Sequence, residues 1–438
     1  MQYISTNKKA DPVGFKQAII RGLANDQGLF MPQNIPVSNL LRNDLRGANK
    51  VEIAYAMMRP FVQTTVSSDT ALRSIVEETF CFDLPLIQIS QKMWSLELFH
   101  GPTLAFKDVG ARFLARCLQH LLPKGERITI LVATSGDTGS AVAQGFSGVD
   151  QVEVVLLYPS GKVSNIQEQQ LTTAGNNVTA LQVQGDFDDC QRLVKEAFKD
   201  DHLRNRFPIT SANSINIARW LPQSVYYAVG VSQLPGSLAD EKLKTVCSVP
   251  SGNYGNLTAG ILAAKMGAPI DHFIAASNLN KTVPEFIKTG TYTPKASKET
   301  LSNAMDVGDP SNFARLCHLY NHNYEAIVRE VSGYSYTDEQ TLSAIKEGFN
   351  QFEYTFDPHA AIGYLGLKDF LTDQTSTNWR GIILETAHPS KFHETVSQAT
   401  GCEVAMPERL RTCLDKESHS ISLEPHYADF KEYLLSRI

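Results

Sequence analysis

The run Phe99-His100-Gly101-Pro102-Thr103-Leu104-Ala105-Phe106-Lys107-Asp108 sets one lysine in an apolar, turn-rich context. Burial of an ammonium disfavours its charged form, so a neutral amine becomes accessible. A neutral amine is what a carbonyl cofactor such as pyridoxal phosphate needs for a Schiff base. The run also suits a lysine that merely lays its methylenes along apolar surface. Two further loops shift the balance towards chemistry. Ser251-Gly252-Asn253-Tyr254-Gly255-Asn256 follows an apolar stretch and opens a helix of small residues. Glycines there permit close backbone approach to an anion. Free N–H groups at the helix start and its positive dipole end then hold a phosphate without any lysine. Thr134-Ser135-Gly136-Asp137-Thr138-Gly139 repeats that setting. Its hydroxyls and N–H groups suit a carboxylate, although Asp137 or Thr138 could equally be a helix cap.

Asn213-Ser214-Ile215-Asn216-Ile217-Ala218-Arg219 gathers amides, a hydroxyl and a guanidinium within two helical turns. An arginine can take a phosphate bidentately. The plainer alternative is a helix start with a surface arginine. Lys162, in Tyr158-Pro159-Ser160-Gly161-Lys162, is a weaker candidate for the same anion. In Glu385-Thr386-Ala387-His388-Pro389-Ser390-Lys391-Phe392, Thr386 would stand at a strand end facing a ligand. His100 and His388 could act in acid–base steps or simply be hydrogen-bonded structure.

The elements that must position these groups alternate along the middle of the chain. Arg127–Ala133, Gln151–Tyr158, Val178–Val183 and Thr245–Val249 read as buried strands, with Phe273–Ala276 and Gly381–Leu384 as further candidates. Ser140–Phe146 and Leu257–Met266 read as helices. Strand, glycine loop and helix in repetition predict parallel sheets covered by helices on both faces. Ligands in such sheets bind at the carboxyl ends of the strands, where the two loops lie. Residues 1 to about 83 read as mostly helical, with a turn-rich stretch at Gly22–Pro32.

The length of 438 residues predicts two or three domains. A net charge of −6 argues against a nucleic-acid binder. The seven cysteines never form a C-x-x-C pair. That speaks for reduced thiols in the cytoplasm and against a disulfide frame or a metal site. No stretch approaches the length of a membrane span, and the polar N-terminus lacks a secretory core. Neither a GxxxxGK[ST] nor a GxGxxG pattern occurs, which disfavours a nucleotide-binding protein.

Several segments, in this order and at this spacing, carry a family resemblance. They are Gly22–Pro32, LELFHGPTLAFKD (96–108), ATSGDTG (133–139), GDFDDC (185–190), SANSINIAR (211–219), VPSGNYGN (249–256), LSNAMDV (301–307) and TAHPSKF (386–392). Over essentially its whole length the chain resembles the threonine synthase family, fold-type II pyridoxal-phosphate enzymes, and most closely its bacterial and fungal branch. The resemblance implies an α/β fold like that of the tryptophan synthase β chain. Two open, twisted, mostly parallel sheets would be covered by helices behind a mainly helical N-terminal extension. It implies an N-terminal domain at 1–83, a large cofactor domain from 84–108 and 205–400, a small substrate domain at 109–204 and a C-terminal helical tail at 401–438.

The resemblance also implies roles. Lys107 would carry pyridoxal 5'-phosphate as a Schiff base and move protons. Ser251, Gly252, Asn253, Tyr254, Gly255 and Asn256 would cradle the cofactor phosphate, and Thr386 would hydrogen-bond the pyridine nitrogen. Ser135 and Thr138 would meet the substrate carboxylate or phosphate; Asn213, Ser214 and Arg219 would line the substrate-phosphate pocket. The expected reaction converts O-phospho-L-homoserine and water to L-threonine and phosphate, with no metal, in a cytoplasmic monomer or homodimer. A phospholyase or a threonine/serine dehydratase of the same fold is the enzymatic alternative; a catalytically inactive ligand-binding relative is the other. The chain begins close to the first family segment, so no control by S-adenosylmethionine is expected. Three positions depart from the family pattern. Lys281 stands where an aspartate is common and Glu285 where a basic residue is common. Glu385 replaces a small residue beside Thr386, so its carboxylate should point away from the ring.

Overall fold

The computed structural model describes residues 1–437 apart from 44, 64, 67, 207, 237–242 and 375–377. Its frame is two mostly parallel sheets. The six-stranded sheet runs Val331–Ser335, His272–Ser277, Lys244–Pro250, Trp379–Glu385, Met93–Glu97, Leu86–Gln88, and only the last pair is antiparallel. The five-stranded sheet runs Ile421–Leu423, Val178–Val183, Val152–Pro159, Ile128–Ala133, Ile209–Ser211 and is parallel throughout. The central strands are near-continuous apolar runs because helices cover both faces. Six successive residues of His272–Ser277 are buried, for example.

The N-terminal region adds three short strands to its helices. Gln2–Ser5 pairs antiparallel with Val13–Gly14 and Phe30–Pro32 before the helices Lys50–Val62 and Asp69–Thr79 begin. This region supports the site from behind. The Asn216 side chain donates to the Ile19 carbonyl at 2.9 Å, tying the Phe15–Arg21 helix to the Asn213–Arg219 segment.

The C-terminal residues do more than add helices. Ile421–Leu423 extends the five-stranded sheet beside Val178–Val183. Phe430 and Leu434 of the Tyr427–Ser436 helix join the apolar cluster of Leu193 and Val194. Among the strands absent from the sequence reading, Ile209–Ser211, Val331–Ser335 and Ile421–Leu423 are short and sit at sheet edges, while Met93–Glu97 lies inside the six-stranded sheet but is only five residues long and mixes polar residues with apolar ones. Among the described residues no helix is long and apolar enough to cross a membrane.

Candidate active site

Lys107 opens the helix Lys107–Leu121, and a tight loop delivers it there. Asp108 closes that loop by accepting hydrogen bonds from the Thr103 N–H at 2.9 Å and the Thr103 hydroxyl at 2.7 Å. Leu104 is held at φ +58, a left-handed conformation that a branched side chain rarely adopts. The next residues pair with a strand end. Phe106 N–H donates to the Thr386 carbonyl at 2.9 Å and His388 N–H to the Leu104 carbonyl at 3.0 Å. Lys107 is thereby fixed beside Thr386, whose hydroxyl has no protein partner among the described residues. Burial pushes the Lys107 amine down to about 8; Lys391 and Arg219 add to this, and Asp137 opposes it.

The Ser251–Asn256 loop connects the Lys244–Pro250 strand to the Gly255–Lys265 helix. Tyr254 takes φ +60, and no side chain caps the helix. Its first N–H groups are thus open to an anion. Asn256 accepts from the Tyr227 hydroxyl at 3.0 Å, yet its amide nitrogen is buried without a partner. An orphaned buried donor at an uncapped helix start is what a phosphate would satisfy. Gly252 is also packed against a neighbouring turn. A Cβ there would lie 2.5 Å from Met305 Cα, so the Asn303–Met305 turn walls the loop. Gly252→Ala should therefore displace the loop, because backbone cannot yield as a side chain can. We expect about 1–3 kcal/mol of lost stability and at least tenfold weaker cofactor binding, read by fluorescence titration. Unchanged binding would remove this loop from the phosphate site.

The Thr134–Gly139 loop is braced internally. Thr134 Oγ1 accepts from the N–H groups of Gly136 at 3.0 Å and Gly139 at 2.8 Å. Ser135 and Thr138 are half-buried, and among the described residues neither side chain has a protein partner. Asn213 and Ser214 are engaged with the other loops. Asn213 Nδ2 donates to the Ala133 carbonyl at 2.9 Å, and Ser214 Oγ accepts from Asn253 Nδ2 at 2.6 Å. The five motifs are thus knitted into one place. Lys162 is exposed, three residues after the Val152–Pro159 strand.

Two buried guanidinium groups flank the Asn213–Ile217 stretch. Arg219 donates to the Ala212 carbonyl, and its Nε has no partner among the described residues. Arg315 donates to the carbonyls of Ser214 at 2.7 Å and Ile215 at 2.8 Å, and stacks on Trp220. Burial lowers Arg219 to about 10 and Arg315 to about 9. Neither has a salt-bridge partner among the described residues. Uncompensated buried cations are costly, and a bound anion relieves that cost. Arg315 carries no sequence signal of its own.

The sequence reading also misses a buried ion pair. Lys391 Nζ lies 2.6 Å from Asp137 Oδ1 and donates to the Thr103 carbonyl at 3.1 Å. Burial opposes ionisation of Asp137, but Lys391 and Lys107 outweigh it and hold the carboxyl far below its usual range. Glu385 does point away from Thr386. It accepts from Ser95 Oγ at 3.2 Å and from the Asp357 N–H at 3.1 Å. Burial, with Asp357 and Glu97 adding, holds its proton more tightly than an ordinary carboxyl does. His388 accepts from the Ser390 N–H at 3.1 Å and so caps the turn that carries Lys391. His100 pairs with Glu97 at 2.7 Å. Lys281 and Glu285 form a surface pair at 3.9 Å, with Lys295 closer to Glu285 at 2.5 Å.

The arrangement fits pyridoxal phosphate: an amine of lowered basicity, a neutral hydroxyl at a strand end and a glycine loop with an orphaned donor. Comparisons with known proteins agree. A family model described as pyridoxal-phosphate dependent enzyme matches residues 76–380. Models of the threonine synthase N terminus and C-terminal region match 2–80 and 360–434. A threonine synthase of Haemophilus influenzae is 42% identical, with 97% of each chain covered. The crystal structure of threonine synthase from Escherichia coli superposes with a TM-score of 0.91 at 39% identity over the full length of both chains. A pyridoxal-phosphate-bound threonine synthase from Brucella melitensis gives 0.91 at 34% identity over 99% of this chain and 98% of its own. The motifs, the two sheets and these matches agree that the chain belongs to the threonine synthase family of pyridoxal-phosphate-dependent enzymes.

Proposed function

We propose that the chain converts O-phospho-L-homoserine and water into L-threonine and phosphate, acting as a carbon–oxygen lyase on a phosphate ester. The observation that carries this reading is the convergence near Lys107 of two anion-receptive loops and of Arg219, a buried guanidinium with no salt-bridge partner among the described residues. A substrate with a carboxylate and a phosphate would supply both missing anions.

Comparing substrate and product sets the chemistry. The γ-carbon loses its C–O bond to phosphate and gains a proton. The β-carbon loses a proton and gains the hydroxyl of water. When bound, pyridoxal phosphate supplies the electron sink that makes the neighbouring C–H bonds acidic. Lys107, its amine pushed down to about 8 by burial, would take a proton from the α-carbon and return protons to the carbon chain. The N–H groups and the Asn256 amide at the Ser251–Asn256 loop would hold the cofactor phosphate. Thr386 would face the ring nitrogen with a neutral hydroxyl, leaving that nitrogen largely unprotonated. Ser135 and Thr138 would hold the substrate carboxylate. Arg219 would hold the departing phosphate, with Asn213 and Ser214 fixing the loop around it.

Substrate choice tests this reading. The protein should favour O-phospho-L-homoserine over L-homoserine, L-serine and L-threonine by about 10⁴-fold or more in kcat/KM, because polar groups built for a phosphate are left unpaired without it. Comparable turnover of L-serine or L-threonine, with ammonia released, would make the chain a dehydratase instead.

A further inference from the structure

The Lys391–Asp137 pair joins the two sheets beside Lys107. Asp137 begins the helix that follows the Ile128–Ala133 strand of the five-stranded sheet. Lys391 sits in the Pro389–Phe392 turn after the Trp379–Glu385 strand of the six-stranded sheet. The two side chains are 0% and 4% exposed at a separation of 2.6 Å. Asp137 Oδ1 also accepts from Gln167 Nε2 at 3.1 Å. Lys391 in turn donates to Thr103, in the loop that delivers Lys107.

A buried ion pair is often no more stabilising than apolar residues of the same shape. Its presence next to the one reactive amine calls for another reason. Asp137 alone would attract the Lys107 ammonium and keep it charged. Lys391, which holds that carboxylate at 2.6 Å, offsets part of the attraction. We propose that Lys391 is a positioning residue that holds Asp137 in an ion pair across the two sheets and so leaves the Lys107 nitrogen free to work as a base. This rests on Lys107 being the cofactor-bearing lysine.

The other charged groups around Lys107 do not replace this function. Arg219 is a second cation and acts in the same direction as Lys391. Asp108 is turned back onto Thr103. The Tyr226 hydroxyl donates to the Phe106 carbonyl. Asp137 is therefore the anion whose pairing decides the matter.

The test uses the cofactor-loaded enzyme and reads visible absorbance against pH, which reports the proton on the Lys107 nitrogen. An opposite charge at close range shifts such a midpoint by about 1–3 units. Lys391→Met should raise it by about one unit or more, since Asp137 then favours the protonated form. Asp137→Asn should lower it, and the double variant should fall back near wild type. Lys391→Arg should leave it near wild type, and this variant with Asp137→Asn carries the test should Lys391→Met fail to fold. An unshifted Lys391→Met midpoint, or a double variant displaced as far as Lys391→Met, would reduce Lys391 to a structural role. A wild-type protein with no cofactor band would instead overturn the reading of Lys107 itself.

Discussion

Lys107→Ala loses at least about 10³-fold in turnover, together with the borohydride-trappable attachment of the cofactor. Proton transfer by a positioned side chain contributes roughly 10²–10⁴-fold, and loss of the covalent link removes positioning as well. The fold should persist, because the helix that Lys107 opens is held by Val109, Phe113, Leu114 and Leu118, all fully buried. A Lys107→Ala protein that still binds the cofactor covalently would place the reactive amine elsewhere. The same lysine sets a pH dependence. Its folded-state value lies below that of a free lysine, at about 8. The neutral, nucleophilic form therefore grows as pH rises through 8, and covalent capture of added cofactor should accelerate over that interval. In the other direction, the ammonium form that dominates in acid is disfavoured by burial. A capture rate that stays flat from pH 7 to about 10, the ordinary lysine range, would contradict the assignment.

Arg219→Met is the second large effect. Losing a charge-assisted contact to a buried phosphate costs roughly 2–5 kcal/mol, or at least about 30-fold in KM. Methionine fills much of the same volume, and arginine here is a buried cation whose Nε has no partner among the described residues. Replacing such a charge with an apolar side chain is often neutral for stability. The thermal midpoint should therefore move little while KM for the phosphorylated substrate rises steeply and the cofactor stays bound. A KM that does not move would take Arg219 out of the pocket and leave Arg315 as the buried cation to examine.

The two parallel sheets are legible in the sequence because their central strands are uninterrupted apolar runs that end in glycine loops. The Lys107 run is legible because its chemistry is contiguous. What escapes is whatever depends on pairing across the chain. Asp137 reads locally as a helix cap and Lys391 as one more residue of the Glu385–Phe392 run; only folding makes them one ion pair. Asn213 reads as a ligand for an anion, yet its side chain ties down the Ala133 carbonyl. Gly252 reads as room for a ligand; that Met305 also occupies the space a Cβ would need is visible only after folding. Arg315 gives no warning at all, since its guanidinium acquires meaning only against Ser214 and Trp220. Short edge strands such as Val331–Ser335 escape for a simpler reason: partial exposure removes the apolar signal.

That these residues assemble a phosphohomoserine-to-threonine catalyst is tested by proton NMR of the products formed in heavy water. The loaded enzyme with O-phospho-L-homoserine should yield L-threonine and an equal amount of phosphate. Deuterium should enter the methyl group, because the γ-carbon gains a proton, and the α-carbon, because the Lys107 nitrogen exchanges its protons with solvent. Formation of 2-oxobutyrate and ammonia alongside phosphate would contradict the claim and make the protein a phospholyase built on the same site.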